Sequence, residues 1–264
     1  MTAMDPQNLD VWRALLGSWD AWLLTLALTV LIPVVGFFRF RQFLASSGEV
    51  VTTRTKLTLY GRIVCSQWLL VVAMLLILRR HGLSVADAGE RLAGRQLTLG
   101  ATGGLLLILA AVSAIILVRL RRARPKTGTR GLGRLRKLVP TFGLEMAAFA
   151  GVCLTAGICE ELLFRGWLVS ILWAATGSAW IAVAFGAILF GIGHAYQGTT
   201  AILRTAFVGL QLGVLFVWVG SLIPGQVLHT GVDLLVGVAG ALTLSRQSSA
   251  SAEPAADGGD QPCL

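Results

Sequence analysis

Seven apolar runs divide this 264-residue chain, at 19–38, 62–78, 97–118, 142–175, 178–193, 201–219 and 226–244. A helix needs about 20 such residues to cross the hydrocarbon core of a bilayer. Inside that core every peptide N–H and C=O must find its partner within the chain, which leaves helices or closed barrels. Runs of this length predict an all-α, polytopic bundle of transmembrane helices in the cell membrane. Seven crossings follow if each run spans once, and eight if the long 142–175 run breaks at Gly157 or Gly166. Charged residues make up only 13% of the chain, about half the fraction of a soluble domain, so a water-soluble fold is excluded.

The net charge of +9 would suggest nucleic acid in a soluble protein, but here the Lys and Arg concentrate between the apolar runs. Their expected partner is therefore the anionic face of the lipid bilayer, with no nucleic acid. Residues 119–137 carry nine Lys or Arg and no acid, whereas the first 21 residues set Arg13 against Asp5, Asp10 and Asp20. This asymmetry predicts that the basic loop is cytoplasmic and the N-terminus outside. Counting crossings backwards also puts the 39–62 segment, with its five Lys or Arg, inside. The acidic opening MTAMDPQNLD is unlike a cleavable secretory signal, so the first apolar run is expected to stay as an anchor.

Between the second and third runs, residues 81–96 mix Leu83, Val85 and Leu92 with Asp87, Glu90, Arg91 and Arg95, which predicts an interfacial helix on the outer side. Trp19, Trp22, Trp167, Trp173 and Trp180 lie near the ends of runs, as indoles at the headgroup boundary do. Cys65, Cys153, Cys159 and Cys263 form no CxxC pair, and three of them sit in or beside apolar segments as small hydrophobes. After Leu244 the chain turns into a Ser/Ala/Gly/Pro tail with too little apolar surface to fold. The organisation read from these features is an N-terminal transmembrane scaffold (1–141), a transmembrane core carrying the chemistry (142–244) and a disordered tail (245–264).

Ionisable side chains inside apolar helices are costly and default to functional roles. The second half of the chain offers Glu160, Glu161, Arg165, His194, His229 and Asp233 as candidates. Glu161 and Arg165 stand one helical turn apart, so an ion pair can neutralise both. Glu160 is then left as a carboxylate in a low-dielectric setting, suited to act as a general base. Phe190 lies one turn before His194 on the same helical face. His229 and Asp233 are again one turn apart, which would let the carboxylate fix the imidazole's tautomer and aim. A base, two imidazoles and an orienting acid are the parts needed to activate water and hold an oxyanion in amide hydrolysis. Neither GxSxG nor HExxH is present, so a serine nucleophile and a zinc site are the weaker readings, and no metal or other cofactor is expected.

The blocks EELLFR (160–165), FGIGH (190–194) and HTGVD (229–233) resemble, in order and spacing, the EExxxR, FxxxH and HxxxN/D motifs of the CPBP family. This is the CAAX protease and bacteriocin-processing, or Abi, family. The resemblance covers about residues 142–244 and implies a glutamate-type intramembrane endopeptidase with no required metal. Carried onto this chain it makes Glu160 the base that activates water, assisted by His194, with His229 and position 233 at the oxyanion and Glu161 and Arg165 shaping the site. The family's eukaryotic CAAX enzymes have Asn where this chain has Asp233. An ionised Asp cannot donate to an oxyanion, so here it is expected to orient His229. The expected substrate is a membrane-embedded or lipid-proximal peptide or protein. The alternatives are a non-catalytic membrane immunity or binding protein and a proton-coupled transporter. The confinement of the intramembrane charges to one half, without an internal repeat, weighs against transport.

Overall fold

The computed structural model describes residues 6–46, 51–92, 95–122 and 137–252. The described residues are helical apart from the connections, and the seven apolar runs lie in helix except for residues 142, 143 and 178. A short helix, α1 (Pro6–Leu15), precedes the first run and was not anticipated. It is followed by α2 (Trp19–Leu26), which passes through a π-helical stretch (Ala27–Leu31) into α3 (Ile32–Ser46). Next come α4 (Thr53–Arg80) and α5 (Arg95–Arg122). The long fourth run is α6 (Leu144–Glu160), a π-helical segment (Glu161–Val169) and α7 (Ser170–Thr176), with no break at Gly157 or Gly166. The remaining helices are α8 (Ala179–Gly193), α9 (Thr199–Val219) and α10 (Ile223–Ala252). Six helical stretches are long and apolar enough to cross a membrane, and α8 is a shorter apolar helix. The protein is thus an all-α, multi-pass membrane protein, and the eighth crossing does not arise.

Two expectations change. Residues 81–92 form turns, not an interfacial helix. Gly82 and Gly89 sit at φ of 74° and 94°, where a helix cannot continue, and the segment is held by its own short-range bonds and by others to the α9–α10 turn. The Leu222 amide donates to the Gly89 carbonyl at 2.9 Å, and Glu90 accepts from the Gln226 amide at 2.6 Å. Burial of Glu90 in this contact raises its pKa, against the smaller opposing effect of the Gln226 bond. At the other end of the chain, α10 continues past the apolar run to Ala252, and the tail beyond it lies outside the described residues. Ser and Ala are compatible enough with helix for a formed helix to propagate through them.

The principal apolar cluster joins α1, α2, α4, the middle of the long fourth helix, α8 and α9. Trp12 packs edge-on against Trp167 at 5.8 Å, and the Trp167 indole donates to Thr25 Oγ1 at 3.2 Å. Trp167 and Trp173 are therefore core residues, whereas Trp19, Trp22 and Trp180 remain exposed as interface indoles would be. Cys153 and Cys159 are buried and Cys65 is exposed, while Cys263 lies outside the described residues.

At one end of the bundle, α4 is bolted to α6 by a buried ion pair, Lys56 Nζ to Glu145 Oε2 at 2.8 Å. Lys56 also donates to the Val139 carbonyl at 2.9 Å, and Glu145 accepts from Thr53 Oγ1 at 2.6 Å and the Thr141 amide at 2.8 Å. Breaking such a pair from one side leaves a buried charge, which costs about 3–5 kcal/mol. Lys56→Met is expected to destabilise the protein by about that amount, and Lys56→Met with Glu145→Leu by clearly less. Thermal unfolding in detergent micelles measures both.

Candidate functional site

Glu160 ends α6 and Glu161 opens the π-helical segment, so the backbone changes pitch at the double-glutamate step. π-helical turns inside α-helices are uncommon and recur at functional sites. One turn before Glu160, Gly157 packs so tightly on α10 that a Cβ there would strike Thr230 Oγ1 and stand 2.9 Å from the Gln226 carbonyl. That contact draws α10 against α6 and puts His229 beside the two glutamates. His194 arrives from α8, whose 15 residues rise only about 22 Å. A helix that short ends within a hydrocarbon core about 30 Å thick. Here α9 is the full-length helix and α8 the short one.

Glu161 is the most enclosed of the group. Its Oε1 accepts from Arg165 Nη1 at 2.7 Å and from His229 Nδ1 at 2.9 Å. Arg165, also buried, donates through Nη2 to the Gly209 carbonyl on α9 at 3.1 Å and lies over the Phe190 ring, 4.4 Å from its centroid. Phe190 is packed edge-on against Phe164 and His229 and tilted against His194.

Both imidazoles are held by Nδ1. Glu161, paired with a guanidinium, only accepts, so His229 Nδ1 carries the proton. His194 Nδ1 lies 2.9 Å from the Phe190 carbonyl, which also only accepts, so this ring donates through Nδ1 as well. Each Nε2 is thereby turned to Glu160 Oε2, at 4.0 Å from His194 and 3.8 Å from His229. That carboxylate oxygen is buried and finds no hydrogen-bond partner among the described residues, while Glu160 Oε1 accepts from Gln67 Nε2 of α4 at 2.7 Å.

Asp233 differs from the expectation. Its Oδ2 stands 3.6 Å from His229 Nε2, beyond hydrogen-bond length, and the ring is held instead from the other side by Glu161. Spacing of one turn permits an Asp–His bond, but the closeness of α6 to α10 gives the proton to the nearer, more buried carboxylate. Side-chain exposure rises from 1% at Glu161 through 16% at Glu160 to 42% at Asp233, so the cluster is closed behind Glu161 and opens towards Asp233.

All seven residues singled out in the sequence, Glu160, Glu161, Arg165, Phe190, His194, His229 and Asp233, come together. Gln67 and Tyr196 also belong here and were missed. Tyr196 stacks on His194 with ring centroids 6.0 Å apart and meets Phe40 of α3 at 5.1 Å. Among the described residues no group of three His, Cys, Asp or Glu side chains has the arrangement of a metal site.

Residues 142–235 match the family model described as type II CAAX prenyl endopeptidase Rce1-like. No curated protein and no solved structure matches the chain. The match supports an Rce1-like domain of the CAAX-protease type over the segment that begins just before α6 and ends just after Asp233. It contains the Glu, His and Asp side chains of the cluster and leaves out Gln67.

Because Arg165 neutralises Glu161 and also ties α9, its loss is expected to be structural. Arg165→Met is expected to destabilise the protein by about 3–5 kcal/mol. Arg165→Lys should rescue only part of that, since one ammonium cannot reproduce the two-pronged contact to Glu161 and Gly209. Denaturation midpoints in detergent for the three proteins provide the check.

Proposed function

We propose that the protein is an intramembrane endopeptidase that hydrolyses a peptide bond in a membrane-embedded or lipid-proximal substrate. The observation that carries this reading is the convergence of Glu160 Oε2 and two imidazole Nε2 atoms on one buried point, at 3.8 and 4.0 Å. Separations of that size are bridged by a water or a substrate oxygen more readily than by direct bonds. The Rce1-like match over the same residues supports the reaction class.

In the proposed mechanism Glu160 takes one proton from a water held between it and His194, and the water oxygen bonds to the scissile carbonyl carbon. The oxyanion that forms is stabilised by an imidazole that enters the cycle as the imidazolium, so that His229 or His194 carries a proton on Nε2 as well as on Nδ1. Glu160 then returns its proton to the amide nitrogen, the C–N bond breaks as the carbonyl re-forms, and the carboxylic acid product passes the water's second proton to the released amine, which leaves a carboxylate and an ammonium. Glu161 and Arg165 keep His229 in the orientation that this requires. Asp233, at the open end, is assigned to the rim of the site. The reading also divides the chain into a 142–244 core that performs the chemistry and an N-terminal part that supports it.

Purified protein in micelles or proteoliposomes is expected to cleave a membrane-associated peptide. Glu160→Gln and His194→Ala should each lower kcat/KM by about 10²- to 10⁴-fold without loss of fold. A zinc chelator should leave the wild type active. Full activity in Glu160→Gln would sink the glutamate mechanism, and inhibition by the chelator would replace it with a metal-assisted one.

A further inference from the structure

Glu160 is held by a residue from outside the matched segment. Gln67 lies near the middle of α4, in the half of the chain read as scaffold, and donates from Nε2 to Glu160 Oε1 at 2.7 Å. The orientation of the carboxamide follows from chemistry, because the carboxylate accepts and only the NH₂ end can donate. Its other end, Gln67 Oε1, is buried and has no hydrogen-bond partner among the described residues. An apolar side chain at this place in an apolar helix would bury no polar atom, so packing alone disfavours the amide. What the amide does achieve is geometric. It occupies one oxygen of Glu160 and leaves the other, Oε2, towards His194 and His229.

We infer that Gln67 is a positioning residue for Glu160, so that α4 completes the site and the N-terminal half takes part in the reaction. This rests on Glu160 being the base. Gln67 acts through Glu160: a carboxylate without that bond rotates about its terminal torsion, which is broad and two-fold. The productive separation from both imidazoles is then held only part of the time.

The test compares wild type, Gln67→Met, Glu160→Gln and the double variant, all full-length in micelles. Met keeps the length and burial of Gln without either polar atom. Gln67→Met is expected to lower kcat about 10- to 100-fold, the usual cost of removing a residue that orients a reacting group. The melting temperature should not fall, and the double variant should be no slower than Glu160→Gln alone. A second readout needs no turnover. The carboxylate infrared band that disappears in Glu160→Gln should shift in Gln67→Met. Unchanged kcat together with an unshifted band would overturn the positioning role while leaving Glu160 as base. An additive loss in the double variant would show that Gln67 acts elsewhere. If Glu160→Gln itself retains full activity, the hydrolytic mechanism falls instead, and the band shift alone then reports whether Gln67 holds Glu160.

Discussion

Glu161 Oε1 accepts two bonds, one from Arg165 and one from His229, and the rest of the site is arranged around that oxygen. A carboxylate taken out of water into low dielectric is tolerated only with opposite charge and saturated hydrogen bonding. Arg165 supplies the charge, and its own remaining donor capacity reaches the Gly209 carbonyl and the face of Phe190. The carboxylate also binds α10 to the long helix through His229. Three helices and the α8 aromatic are thus tied together by one compensated buried charge. Such pairs add little net stability over apolar packing. Their value lies in specifying one arrangement, and here that arrangement aims an imidazole.

Aiming fixes the proton inventory. With both Nδ1 atoms engaged by groups that only accept, the two Nε2 atoms and Glu160 Oε2 all turn to the same point. In the neutral state these are three acceptors, which suits a water with two hydrogens to give or a proton shared among them. A transfer from water to Glu160 needs no large rearrangement, because the neighbours are already in place. The cluster thus has a closed floor at Glu161 and an open rim at Asp233.

Much of this was legible in the sequence because it is local. Apolar run length locates the helices, and the i to i+4 spacing of Glu161 and Arg165 announces their pair, which forms even across a π-helical turn. Contacts between distant segments were not legible. Nothing in HTGVD says that His229 will turn to Glu161, 68 positions away, and not to Asp233 on its own helix. Gln67 bears no charge to mark it within its apolar run, yet a neutral amide in a membrane helix also demands a partner. Lys56 counts in the sequence only as one of the five basic residues of 39–62, yet with Glu145 it forms a buried bolt. The 81–92 segment has the composition of an amphipathic helix, but its glycines and its bonds to the α9–α10 turn override that pattern.

The boundary between scaffold and site is therefore not where the charges stop. The matched segment holds the acids, the imidazoles and the guanidinium, and taken alone it leaves Glu160 Oε1 without its donor. It also leaves Gln226, one turn before His229, without the Glu90 carboxylate that it binds. Tyr196, stacked on His194, rests on Phe40 of α3. Each of the three histidine- or glutamate-bearing helical segments is thus braced by a separate part of the N-terminal half. A site that must hold two Nε2 atoms and a carboxylate oxygen about one water diameter apart tolerates little slack. Helices in lipid have no hydrophobic effect pressing them together, so that precision must come from close packing and from polar contacts of this kind.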